Sequence, residues 1–369
     1  MSIIAKKSVS IYENPLPQLR NSHAYFPSIA ELDDGRLLGA FSMCEAFESV
    51  DGTTRMAEST DGGATWTLLP PVYDKSGLKT PTTDYLKVTV LKDGRVLLFG
   101  YEYYRDDPDL PEGNPETGGL LENDILILES YDGGKRFGPP RNIQTVWGPH
   151  VEASAPLYEL KDGTLATPVA PFARWDGSQP GRICGRMLRS TDGGKSFTGD
   201  VICMAFPGDS IMCGEQRMAQ TDSGKLVIIG WNEDVSTGRR LMNHYTYSVD
   251  GIVFSEPRDT GVSGQASGIC AVGRERVLAL HAVRRDTDRP GIYGYIADTT
   301  GGRWKKESEP VLIWEPETPI KRNENVAELF AFLKFGQPSA VRLKNGRILM
   351  THWAQENGQG RSYVTELIL

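Results

Sequence analysis

One eight-residue unit constrains this chain more than any other feature. It reads Ser59-Thr60-Asp61-Gly62-Gly63-Ala64-Thr65-Trp66 and returns as Ser130 to Phe137 and as Ser190 to Phe197. A fourth copy, Ser248 to Phe254, is one residue short, and a fifth, Ala297 to Trp304, keeps only Gly301 and Trp304. Each part has a physical reason. The Asp accepts hydrogen bonds from backbone N–H groups of its own turn, and the glycines take φ > 0 at little cost. The closing aromatic is placed for burial between neighbouring sheets. One such turn would mean little; three near-perfect copies at a period of roughly 60 residues specify an architecture.

A second series runs in phase with the first: Asp34-Gly35, Asp93-Gly94, Asp162-Gly163, Ser223-Gly224 and Asn345-Gly346, with Gly273-Arg274-Glu275-Arg276 in the fifth place. Apolar segments flank each, the signature of a tight hairpin. Two hairpins per repeat make a four-stranded antiparallel blade. The expected fold is therefore all-β, a six-bladed β-propeller that uses residues 1–369 as a single domain. Ile3 to Tyr12 reads as one isolated strand, whereas the last blade lacks an outer strand. The N-terminal strand is expected to close the ring and so remove an exposed edge.

The chain's 40 glycines and 23 prolines suit many turns, and its net charge of −8 favours neither nucleic acid nor an anionic membrane. No apolar run is long enough to span a bilayer as a helix. Lys6 and Lys7 are not followed by an apolar segment, so no signal peptide is read. Cys44, Cys184, Cys203, Cys213 and Cys270 are an odd set without close pairing, the pattern of a reduced, cytoplasmic protein. No metal or phosphate-loop motif is present, and no cofactor is expected. Oligomeric state is not readable.

Strand order places the Asn/Asp-Gly turns and the eight-residue turns on one face. The loops between second and third strands, and the crossovers between blades, fall on the other. These are long and irregular, the usual seat of function on a rigid scaffold. The acidic, Pro- and Gly-rich stretch 105–119 is either a solvated loop or a lid. The expected loop at 354–360 and the crossover at 310–336 belong to this face too.

Residues that begin first strands or end second strands are expected at the mouth of the central channel. The acids among them are Glu45, Asp84, Glu152 and Glu215, with Asp51 in the loop beyond Glu45. The bases and cations are His23, His150, His281, His352, Arg174, Arg284 and Arg285. The aromatics are Tyr25, Tyr101, Trp231 and Trp353. Aromatics stack on sugar faces and paired carboxylates run glycosidic acid/base chemistry, so the set points to an oligosaccharide substrate.

The repeats and the six blades resemble the sialidase superfamily, whose repeated turn is called an Asp box, over essentially the whole chain. The resemblance implies a carbohydrate-active propeller. Sialidases open on Tyr-Arg-Ile-Pro, whose Arg holds the sialate carboxylate; here the place reads Tyr25-Phe26-Pro27. Asp51 matches the family's acid/base Asp in position, and Glu215 its glutamate at the start of blade 4. The family's second Arg falls on Trp231 and its nucleophilic Tyr near Pro338. Without that arginine cradle, bidentate recognition of a sialic acid carboxylate is not available.

Three functions follow as expectations. The first is an exo-acting glycoside hydrolase on a sugar other than sialic acid, with Asp51 or Glu45 and Glu215 as its carboxylates and Asp84 and Glu152 in reserve. The second is a uronate lyase, with His150, His281 or His352 as base and Arg174, Arg284 or Arg285 at the uronate. The third is a propeller that binds a glycan or protein without turnover.

Overall fold

The computed structural model describes residues 3–285, 287–317 and 334–369. Six antiparallel sheets stand in a ring. Strands are lettered a to d from the axis outward. Blade 1 is His23–Glu31, Leu37–Cys44, Thr53–Ser59 and Thr67–Leu68; blade 2 is Thr82–Val90, Val96–Tyr104, Asn123–Ser130 and Arg141–Ile143. Blade 3 has a split inner strand, Val151–Glu152 and Tyr158–Glu159, then Leu165–Pro171, Gly185–Ser190 and Thr198–Met204. Blade 4 is Ile211–Gln220, Leu226–Asp234, His244–Ser248 and Arg258–Asp259. Blade 5 is Ser267–Ala271, Arg276–Val283 and Gly291–Asp298, with Lys305–Lys306 and Val311–Trp314 outermost. Blade 6 is Phe335–Arg342, Ile348–Glu356 and Gln359–Ile368.

The N-terminus closes the ring as expected. Ile4–Ala5 and Val9–Ser10 pair antiparallel with Gln359–Ile368 and become the outer strand of blade 6. The ladder that would otherwise end on an open edge is thereby paired. Among the described residues no helix is long and apolar enough to cross a membrane.

The repeated turns work as their chemistry demands. Asp61 Oδ1 accepts from the backbone N–H groups of Ala64 and Thr65 at 3.0 and 2.9 Å, and Ser59 Oγ accepts from Gly63 N at 2.9 Å. Asp132, Asp192 and Asp250 repeat the pattern. Donation by the Thr65 hydroxyl and amide pulls the Asp61 carboxyl down to about 2. Each closing aromatic packs into a separate apolar cluster between its own blade and the preceding one. Trp66 packs at the blade 6–1 seam, Phe137 at 1–2, Phe197 at 2–3, Phe254 at 3–4 and Trp304 at 4–5. The core is thus a set of inter-blade seams, and the repeat spacing in sequence is the blade spacing in space.

Two loop expectations are corrected. Residues 354–360 are no long loop: strands b and c of blade 6 run on to Glu356 and from Gln359, joined by Asn357 and Gly358 at φ 49° and 76°. These two consecutive positive φ values are what a two-residue hairpin turn needs. The stretch 105–119 is not simply solvated either, since Arg105 and Glu112 within it are buried. Most of the expected crossover at 310–336 lies outside the described residues.

Candidate active site

Strand a carries the same irregularity in three blades. The register slips between Tyr25 and Ser28, between Gly214 and Arg217, and between Gly336 and Ser339. Within these bulges Phe26, Glu215 and Gln337 adopt φ of 57°, 41° and 45°. Positive φ in a non-glycine residue costs of order 1–3 kcal/mol and persists where surroundings impose it. A bulge also re-aims a side chain that regular pleating would send elsewhere. Glycine precedes two of the three. A Cβ at Gly214 would collide with the Trp231 indole, so the glycine lets that ring lie against the strand beside Glu215.

These bulges bring Glu215 and Gln337 together across the ring. Glu215 Oε2 accepts from Trp231 Nε1 at 2.8 Å, and Oε1 accepts from Gln337 Nε2 at 2.7 Å. Gln337 Oε1 in turn accepts from Lys87 Nζ at 3.1 Å, and Lys87 also donates to the Phe26 carbonyl at 2.6 Å. Lys87 is buried; burial and then the charge of Arg217 push its ammonium well down, against Glu215 and Glu152. Arg217 is also buried and donates to Ser154 Oγ and to the Gln216 carbonyl, each at 2.9 Å.

Glu152, from strand a of blade 3, faces the same group. Its Oε1 accepts from Ser154 N at 2.8 Å, while its Oε2 is buried with no hydrogen-bond partner. Burial raises its pKa; the Arg217 charge opposes this and the Glu215 charge adds to it. Tyr101 lies close enough for Glu152 and Glu215 to raise its phenol after burial has done so. Arg284 is pushed down to about 10 by burial, against the pull of Glu215. A crevice between blades 4 and 5, lined by Trp231, Gln265, Arg284 and Arg285, opens beside this cluster. Glu215, Trp231, Glu152, Tyr101 and Arg284 are therefore brought together, with Arg285 on the crevice wall 3.9 Å from Glu233.

The other expected residues stand elsewhere. Asp51 is exposed and caps its own loop, accepting from Glu45 N at 3.1 Å and from Ser49 Oγ; Glu45 is exposed on the same loop. Among the described residues no hydrogen bond or ion pair joins either to Glu215. Asp84 is fully buried between blades 1 and 2, where Thr54 N, Tyr73 OH and Lys75 saturate it. His23 is a pin: its Nδ1 accepts from Gly360 N at 2.8 Å. Arg174 is exposed and braces its own loop through the Gln179 carbonyl at 3.0 Å. His150 is half-buried on the rim, its carbonyl accepting from Phe172 N, and burial lowers its imidazole pKa.

Two histidines leave the mouth altogether. His281 is fully buried and stacks on Tyr295 at 5.5 Å, and His352 is fully buried between Trp314 and Tyr363. Burial pushes both to about 3. The reason is their depth in strand b, which runs on to Val283 in blade 5 and to Glu356 in blade 6; within a strand, side chains alternate between the two blade faces, and both faces pack on neighbouring blades. Tyr25 and Trp353 are likewise buried, in an aromatic cluster with Phe26 and Phe47 that lines one side of the mouth.

Lys87 and Arg217 were missed as mouth residues. Their signal was available: each is a cation within an inner strand, Lys87 between Leu86 and Val88 and Arg217 next to Met218, where burial without a partner is rare. Glu48 and Glu112 had no such signal. Among the described residues no group of three or more His, Cys, Asp or Glu could hold a metal ion.

No protein-family model matches the sequence, and no curated protein does. Solved structures do match along the chain. A protein of unknown function from Dyadobacter fermentans superposes with a TM-score of 0.74 at 21% identity, covering 100% of this chain and 99% of that one. A Penicillium chrysogenum alpha-L-arabinanase complexed with arabinobiose gives 0.61 at 13%, covering 98% of each. A Hadza microbial sialidase gives 0.62 at 14%, covering 93% of this chain and 65% of that one. The likeness is one of fold, a six-bladed propeller shared with a sialidase and an arabinanase. In this propeller the polar cluster lies where first strands from different blades converge, which is where a ring of blades can bring distant sequence segments into one site.

Proposed function

We propose that this chain is an exo-acting glycoside hydrolase for a sugar other than sialic acid, with Glu215 and Glu152 as its carboxylate pair. The observation that carries the reading is their asymmetry. Glu215 accepts two N–H donors, an arrangement that suits a carboxylate anion, while Glu152 has a raised pKa and one buried oxygen without a partner. Two carboxyl groups with opposed environments are how acid and base roles are divided at one pH. Glu152 would hand its proton to the leaving oxygen, and Glu215 would act as base or nucleophile. Trp231, hydrogen-bonded to Glu215, offers an indole beside the reacting sugar.

Three further considerations support this reading. The solved neighbours include an arabinanase and an alpha-l-arabinofuranosidase besides sialidases. Phe26 and Trp231 stand where the sialidase resemblance would put carboxylate-binding arginines. Asp51 and Glu45 are engaged in their own exposed loop, and burial of His281 and His352 removes two of the bases a lyase would use.

The test is a release screen over sialosides, neutral exo-glycosides and uronate oligosaccharides, read by product mass and by absorbance near ~235 nm. A saturated neutral sugar is expected, with Glu215→Gln and Glu152→Gln each lowering kcat by about 10²-fold or more. Sialic acid release, an absorbing product, or full activity in Glu215→Gln would overturn the proposal. Glycan binding without turnover would favour a binding propeller.

A further inference from the structure

Lys87 sits on strand a of blade 2, yet it touches blades 1 and 6 and acts electrostatically on blades 3 and 4. A lysine buried this completely is rare unless its ammonium has partners. Its ammonium donates to the carbonyl of Phe26 and to the side-chain oxygen of Gln337, and both residues are the positive-φ members of their bulges. A side-chain amide has two ends, and a donor at one end decides what the other presents. Lys87 holds the Gln337 oxygen toward itself, so the Gln337 NH2 faces Glu215. Were the amide reversed, its oxygen would confront the Glu215 carboxylate.

We propose that Lys87 is a positioning residue that acts on Glu215 through Gln337. The relay runs Lys87 Nζ to Gln337 Oε1, then Gln337 Nε2 to Glu215 Oε1, and joins blades 2, 6 and 4 across the axis. Trp231 completes the clamp from the other side. Other charged groups facing Glu215 or Lys87 are Glu152, Arg217 and Arg284. An alternative role, a pin that acts on Glu215 only through its charge, would give the same Glu215 shift for Lys87→Met whether or not Gln337 is present, whereas a relay makes that shift smaller in a Gln337→Leu background. The role in catalysis rests on the function proposed above, but the relay is measurable without any substrate.

The test is a carbon-13 titration of the Glu215 carboxyl in protein labelled at the glutamate side-chain carbonyl, with Glu215→Gln assigning the signal. Loss of a donor to the charged form raises a carboxyl pKa. In Lys87→Met and in Gln337→Leu, the proton affinity of Glu215 is expected to rise about tenfold, and Lys87→Arg to recover most of the difference. An unmoved Glu215 in folded Lys87→Met overturns the relay, and a shift of the same size in the Gln337→Leu background overturns it and leaves a pin. Should Lys87→Met not fold, the unmodified protein decides. As the Lys87 ε-carbon titrates, the Gln337 side-chain amide and the Glu215 carboxyl shift at the same midpoint if the relay exists, and the Gln337 amide stays still if it does not. A relay seen without any glycosidase activity would overturn only the functional reading.

Discussion

Side chains of one chemical type take opposite roles here according to what surrounds them. Asp84 and Glu152 both sit buried at the starts of inner strands, but only one has spare capacity. Asp84 is saturated by a backbone amide, a phenol and Lys75, so its role is to hold blade 1 to blade 2. Glu152 keeps one oxygen free. Asp84→Ala would leave Lys75 partly buried without its carboxylate and is expected to cost about 3–5 kcal/mol in chemical denaturation. A loss below ~1 kcal/mol would show that Asp84 is dispensable to the seam. Glu152→Gln is nearly isosteric and is expected to fold normally while losing activity, which separates the two acids by experiment.

At the scale of the element, the stretch 105–119 behaves as a strap across three blades. Arg105 donates to the Glu48 carbonyl, to Thr83 and to the Leu110 carbonyl, and the Glu112 amide donates to Glu48 Oε2 at 3.1 Å. Tyr85 donates to the Glu112 carboxyl, and Asn114 and Thr117 reach the Trp175 carbonyl of blade 3. Burial, with Glu48 beside it, pushes Glu112 up to about 8. In the unfolded chain a glutamate titrates near ~4.3. The native state therefore binds the extra proton between these values. Its stabilising contribution is complete below ~4.3 and is lost as pH rises through about 8. Glu112→Gln should flatten the fall in Tm over that window, and hydrogen exchange in 105–119 should show the same loss of pH dependence. An unchanged slope would place the ionisation elsewhere.

Over the whole molecule, stability is a property of the closed ring. Six seams each join neighbouring sheets, and the blade 5–6 cluster takes in Ile3 and Ala5 from the N-terminal segment. Backbone bonds Lys6 N to Glu366 O and Ile11 N to Ser362 O extend the pairing beyond the two short strands. Deleting residues 1–10 would forfeit several such bonds, at about 1 kcal/mol each, and reopen an edge. A fall in Tm of order 5–10 °C is expected, partly restored by adding the 1–12 peptide in trans. An unaltered Tm would mean that blade 6 is stable with three strands.

Blade number, blade order and ring closure were legible in the sequence because each depends on local chemistry repeated along the chain. The Asp turn, the Gly at positive φ and the closing aromatic act within a few residues of one another, so their spacing carries the fold. Glu215, Trp231, Glu152, Tyr101 and Arg284 were also reachable from strand ends. What only the tertiary structure decided is which side chains meet at the axis. Strands that run past His281 and His352, to Val283 and Glu356, enclose both in the seams. Three bulges re-aimed Phe26, Glu215 and Gln337, and no local signal in the sequence announces a bulge. The Lys87–Gln337–Glu215 chain joins positions as far as 250 residues apart, and only closure of the ring brings them within hydrogen-bond reach.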